Sequence, residues 1–176
     1  SAVWVIALLF SSSSKSIISL LTWVVAIFVS ILIHELGHAF AMRRYGQGSQ
    51  IILHFAGGLT VPESIAWGGG YANIAITANQ QIFISLAGPF VGFLFASLVV
   101  ALSIAVGGML IPNAILGFIP MVLLPVGGEI SNSLVMNLLW ISIFWGFINL
   151  MPVHPLDGGN VVRYILTQTD PLNGLR

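Results

Sequence analysis

Polar and apolar positions in this chain fall into long blocks, not into residue-by-residue alternation. Residues 17–42 are almost unbroken apolar sequence, closed by Arg43 and Arg44. A helix rises about 1.5 Å per residue, so this block is long enough to cross a bilayer with some tilt. Residues 45–81 differ in kind. Glycines 46, 48, 57, 58, 68, 69 and 70 punctuate them, and β-prone pieces lie at 50–55 and 71–77. The pattern predicts a loop with one or two short strands. A second span is predicted over 82–106, where Gly88, Gly92 and Ala96 recur at four-residue spacing. Such a small-residue stripe lets membrane helices approach closely, and Pro89 is a candidate kink.

Residues 107–133 are apolar but broken by Pro112, Pro120 and Pro125, which fits either an interfacial loop or a broken extra span. The last span is predicted from 134 to about 150. There Asn149, Pro152, His154, Pro155 and Asp157 interrupt it. Two prolines end a helix, and Asp157 can cap a new one running past Arg163 to about 168. Residues 2–10 are apolar but short of the roughly 20 needed to span, and read as a half-span or interfacial piece.

The expected fold is therefore an all-α polytopic membrane protein. It has a three-span core, a short membrane-associated β element and a broken last helix. A single domain is expected over 1–176: an N-terminal piece (1–15), a first helix (17–44), a Gly-rich loop with short strands (45–81), a second span (82–106), a loop or broken span (107–133) and the interrupted last span (134–168).

Composition sharpens the picture. The chain is 57% hydrophobic and 6% charged, with mean hydropathy +1.03, whereas soluble domains carry about 25% charged residues. The lipid bilayer must serve as solvent. Five basic residues balance five acidic ones, so nothing points to nucleic acid. Cysteine is absent, and any metal must be held by His, Asp or Glu. Arg43, Arg44, Arg163 and Arg176 would share one side with Lys15 opposite, which makes the arginine side cytoplasmic by the positive-inside rule.

The first span contains His34-Glu35-Leu36-Gly37-His38. Positions four apart stack on one helix face, so both imidazoles can reach one metal ion. Glu35 sits about 100° round from His34, near enough to take a proton from the hydrolytic water without being an obvious ligand. Ionisable groups mid-membrane cost at least about 2.5 kcal/mol on insertion scales, and three within five residues point to function. Catalytic zinc keeps three protein ligands. Asp157, in the other strongly polar intramembrane break, is the best candidate for the third. His38 precedes Arg43 by five residues and Asp157 precedes Arg163 by six, so both would lie at similar depth. A plain helix N-cap is the simpler role for Asp157, and His54 is a rival ligand.

These motifs resemble those of the site-2 protease family of intramembrane zinc metalloproteases. The match rests on His34-Glu35-x-x-His38 and on Asn149-x-x-Pro152-x-x-x-x-Asp157-Gly158, with Ser85-Leu-Ala-Gly-Pro89 as a weaker third. The resemblance is to the family's core, with no PDZ or nucleotide-sensing segment seen. It implies that His34, His38 and Asp157 bind Zn2+ and that Glu35 activates water for peptide-bond hydrolysis. Asn149 would help hold substrate or polarise its carbonyl, unless it serves only to bridge helices. Residues 50–60, with Leu53, His54 and Phe55, would form the strand that pairs with an unwound single-span transmembrane substrate, near the cytoplasmic side. Gly158 and Gly159 are expected to leave room near the metal. Gly92 departs from an asparagine common in the family. His154 also departs from the family pattern, as a gate residue, a support behind the ligands or a solvated loop histidine. The rival reading is a membrane protein that binds or transports a metal without hydrolysis.

Overall fold

The computed structural model describes residues 17–54, 57–62, 76–111, 121–124 and 128–169, with His54 and residues 121–123 described in their backbone only. Three helices are long and apolar enough to cross a membrane: α1 (Ile17–Arg44), α2 (Ala78–Ala105) and α3 (Gly128–Asn149). Each packs against the other two. A short fourth helix, α4 (Asp157–Thr169), follows the break after α3 and rests on α2.

Many buried positions of the bundle are small or polar, and many large apolar side chains face outward. On α2 the outward residues Leu86, Phe90, Leu94, Leu98 and Leu102 recur at helical spacing, while Ser85, Gly88, Gly92, Ala96 and Ser103 are buried. That inversion follows from lipid as solvent: burying leucine gains nothing there, and helices associate through close packing and hydrogen bonds. Accordingly, Ser142 Oγ donates to Ser30 Oγ at 3.0 Å, Asn137 Nδ2 donates to Thr22 Oγ1 at 3.4 Å, and Thr22 and Ser133 pair their hydroxyls at 3.2 Å. All three bonds tie α1 to α3. An apolar patch of Ala96, Leu139 and Ile143, flanked by Phe93 and Trp140, joins α2 to α3.

The first helix matches its sequence expectation. Its successor begins at Ala78, four residues early, because Thr77 caps it: Gln80 N donates to Thr77 Oγ1 and Thr77 N donates to Gln80 Oε1 at 2.8 Å. The helix continues through Pro89. Of the β-prone piece 71–77, residues 71–75 lie outside the described residues, and Ile76 and Thr77 form no strand.

Between α1 and α2 the structure places a hairpin where one strand was expected over 50–60. Strand β1 (Ser49–His54) pairs antiparallel with β2 (Gly57–Pro62), Leu53 opposite Gly58 and Ile51 opposite Thr60. A second small pair, β3 (Met109–Ile111) with β4 (Met121–Leu123), occupies part of 107–133. Within that range α3 already begins at Gly128, earlier than the expected 134. The polar run Glu129, Ser131, Asn132, Ser133 reads as loop, yet Asn132 anchors the helix entry: its Oδ1 accepts from Leu124 N at 2.6 Å and its Nδ2 donates to Gly128 O at 2.9 Å. The N-terminal piece at 2–10 and Phe55 lie outside the described residues.

Candidate active site

One face of α1 carries His34 and His38 into the bundle, both buried. Their Nε2 atoms lie 3.2 Å apart. The break between α3 and α4 returns the chain to the same point from the far end of the sequence, so that Asp157 Oδ2 stands 3.1 Å from His34 Nε2 and 3.4 Å from His38 Nε2. Donors bound to tetrahedral zinc at about 2.0–2.2 Å are separated by roughly 3.3 Å. The three atoms thus have the spacing of one face of a zinc coordination tetrahedron, and they are the group of metal-capable side chains found among the described residues. His38 Nδ1 donates to the Ile84 carbonyl at 2.7 Å, which fixes the tautomer and leaves Nε2 with a free lone pair, the usual support of a metal-binding imidazole. The donor set fits zinc.

Glycine permits this convergence. A Cβ built on Gly88 of α2 would collide with His38 Nε2 and stand 2.8 Å from His34 Nε2. One on Gly37 of α1 would stand 2.5 Å from the Ala87 carbonyl. The helices therefore touch backbone to backbone at the level of the metal site, as the small-residue stripe predicts. Gly158 and Gly159 do a different job from the one expected of them. A Cβ on Gly158 would collide with the backbone of Leu150 and Met151, and one on Gly159 with that of Val153 and His154, so both glycines let the break close tightly, while Gly88 is the residue that makes room beside the histidines. Asp157 opens α4 and also reaches the histidines, so a helix-terminal place and a ligand's place coincide.

Glu35 is buried beside the histidines and covered by β2. The Thr60 hydroxyl donates to Glu35 Oε2 at 2.6 Å, and Gly58 leaves space for the Glu35 side chain, with an added Cβ standing 2.8 Å from Cδ. Sequence reasoning singled out neither residue in a role toward Glu35. The one available signal was a lone hydroxyl in an otherwise apolar strand. Asn149 ends α3, buried, and its Nδ2 donates to Trp145 O at 3.1 Å within its own helix and not across helices. His34, Glu35, His38, Thr60, Asn149 and Asp157 all line one cavity of about 360 Å³ that also meets Trp145 and Tyr164. Leu53 is exposed on β1, His154 is exposed in the break, and the side chain of His54 lies outside the described residues. Gly92 faces α3, where an added Cβ would stand 3.8 Å from Ser142 O.

A helical bundle of the membrane-embedded kind, closed on a His-His-carboxylate centre with an acid alongside, is the architecture of an integral membrane metallopeptidase. The chain belongs to peptidase family M50, whose profile matches residues 22–173. It is similar to a zinc metalloprotease of Methanocaldococcus jannaschii, 26% identical over 145 residues, covering 82% of this chain and 34% of that one. A Synechocystis protein assigned by name to the zinc metalloproteases is 31% identical over 159 residues, covering 90% and 34%. Rip3 of Mycobacterium tuberculosis, also assigned by name to that class, is 30% identical over 143 residues, covering 81% and 30%. The chain spans about a third of the length of these relatives. Its fold is similar to that of a solved site-2 protease from Methanocaldococcus jannaschii, with TM-score 0.59 and 25% identity over 95% of this chain and 63% of that one.

Proposed function

We propose that the chain is the catalytic core of an intramembrane zinc metalloprotease, cutting single-span transmembrane proteins near the cytoplasmic side. The observation that carries this reading is the convergence of His34, His38 and Asp157, with Glu35 in the wall of the same cavity. His34 and His38 would hold zinc through Nε2 and Asp157 through Oδ2. The chemistry supplied by a bound zinc would be Lewis acidity, which polarises a scissile carbonyl and lets water lose a proton near neutral pH. Glu35 takes the proton from the attacking water and passes it to the leaving amine. Asn149, at the cavity wall, binds the substrate carbonyl. Leu53 and His54 lie on strand β1, and together with Phe55, the next residue in sequence, they would offer an unwound substrate replacement hydrogen bonds.

Orientation is supported by charge. Arg43 and Arg44 end α1 just past His38, and Arg163 lies on α4 just past Asp157. Basic residues favour the cytoplasmic side, so the centre lies about five residues, or roughly 8 Å, inside that interface. The whole of 1–176 acts as one domain in this reading.

The test is zinc analysis together with cleavage of a model single-span substrate, wild type against Glu35→Gln. The expected result is equal zinc in both and a loss of cleavage of at least about 10²-fold in the variant, the usual contribution of a general base. Undiminished cleavage by Glu35→Gln would refute the mechanism and favour the metal-binding or transporting alternative.

A further inference from the structure

We propose that Thr60 is a positioning residue for the water-activating carboxylate, tying the attitude of Glu35 to the hairpin on which an extended substrate would lie. This rests on the reading of Glu35 as general base. Residues two apart on a strand share a face, and Gly58 and Thr60 both turn toward Glu35. Gly58 is the floor: the carboxylate lies so close above it that a Cβ would stand 2.8 Å from both Cδ and Oε1. Thr60 is the clamp, donating to Oε2 at 2.6 Å. That length lies within the range of a hydroxyl donating to a carboxylate, about 2.5–2.7 Å.

A glutamate has three side-chain torsions to freeze, and a base that wanders loses the geometry that proton transfer needs. The Thr60 hydroxyl also lies 3.1 Å from the Glu35 backbone carbonyl. It has one proton, and the shorter contact takes it. Through the register, Thr60 is paired with Ile51 and Gly58 with Leu53. Any shift of the outer strand on accepting substrate is therefore passed through β2 to the carboxylate.

Thr60→Val keeps shape and removes the hydroxyl, while Thr60→Ser keeps the hydroxyl. The two are compared with wild type and Glu35→Gln for kcat, KM, bound zinc and amide exchange across residues 57–62. The expected result for Thr60→Val is a fall in kcat of about 10- to 100-fold, the range for residues that orient a reacting group from behind. Its KM, zinc content and hairpin protection should match wild type, and Thr60→Ser should restore most of kcat. Wild-type kcat in Thr60→Val, or no rescue by serine, overturns the proposal. A fall in kcat with lost amide protection assigns the hydroxyl to holding the hairpin and also overturns it. An active Glu35→Gln defeats the parent reading, whereas an inactive Glu35→Gln beside a fully active Thr60→Val defeats only the role of Thr60.

Discussion

A methyl group at Gly88 has nowhere to go. It would meet both imidazole Nε2 atoms, one of them at 2.8 Å, so the rings must turn and the donor triangle opens. Gly88→Ala is expected to weaken zinc binding and abolish cleavage together, as measured by metal titration and substrate cleavage. Gly58→Ala gives the complementary signature. Its methyl would meet the Glu35 side chain first, so zinc should bind normally while cleavage falls by about 10- to 100-fold. Zinc loss in Gly58→Ala would mean that the hairpin supports the ligands and not the base. Two glycine-to-alanine changes thus separate the two halves of the site, metal and acid, by which observable each moves. The residues that converge were legible at this scale: His34, Glu35, His38 and Asp157, which line one cavity, are conspicuous because ionisable groups are costly in lipid. Gly88, Gly58 and Thr60 were not assigned to the site, because a missing Cβ or one hydroxyl carries no such cost and gains meaning only from what stands opposite it.

The hairpin is where sequence and structure differ most among the elements near the site. The pattern predicts a β-prone piece at 50–55 and the family resemblance implies a strand over 50–60, whereas the structure folds that stretch back on itself between His54 and Gly57. Paired glycines at 57 and 58 read as loop punctuation, yet Gly57 has φ 146°, a backbone setting that side chains with a Cβ avoid. The same limit applies at α3, whose polar first turn reads as loop until Asn132 is seen bridging Leu124 and Gly128. Long apolar helices are legible from one chain because lipid demands their length; strands and polar helix entries depend on partners distant in sequence. Among the described residues β1 pairs with β2 on one side alone, and in the proposed function its other edge receives the substrate. Leu53→Pro removes one amide donor from β1 and disturbs strand geometry. Cleavage of a single-span substrate should drop with zinc content unchanged. Unaltered cleavage kinetics in this variant would remove strand addition from the mechanism.

At the scale of the molecule, the cluster of His34, His38 and Asp157 is a tie between the first helix and the last. His34 and Asp157 are 123 residues apart in sequence, and the intervening α2 and α3 are held to α1 by close backbone approach and by a few hydroxyl and amide bonds. Interhelical side-chain hydrogen bonds in membranes average only about 0.6 kcal/mol each, so three of them hold α1 to α3 modestly. A ligand bound to the folded state at a hundred times its Kd adds about 2.7 kcal/mol. Zinc occupancy should therefore matter to global stability more than any of those bonds. Removing metal with a chelator is expected to lower the Tm by several degrees, at about 2–4 °C per kcal/mol for a chain of this size. Tryptophan fluorescence is a suitable probe, since Trp145 borders the cavity. Asp157→Ala should melt at the lower temperature whether or not chelator is present, because one strut of the tie is already gone. If zinc leaves the wild-type protein without any change in melting, the two ends of the chain are held together by helix packing, and the metal is a passenger in the fold and not a part of it.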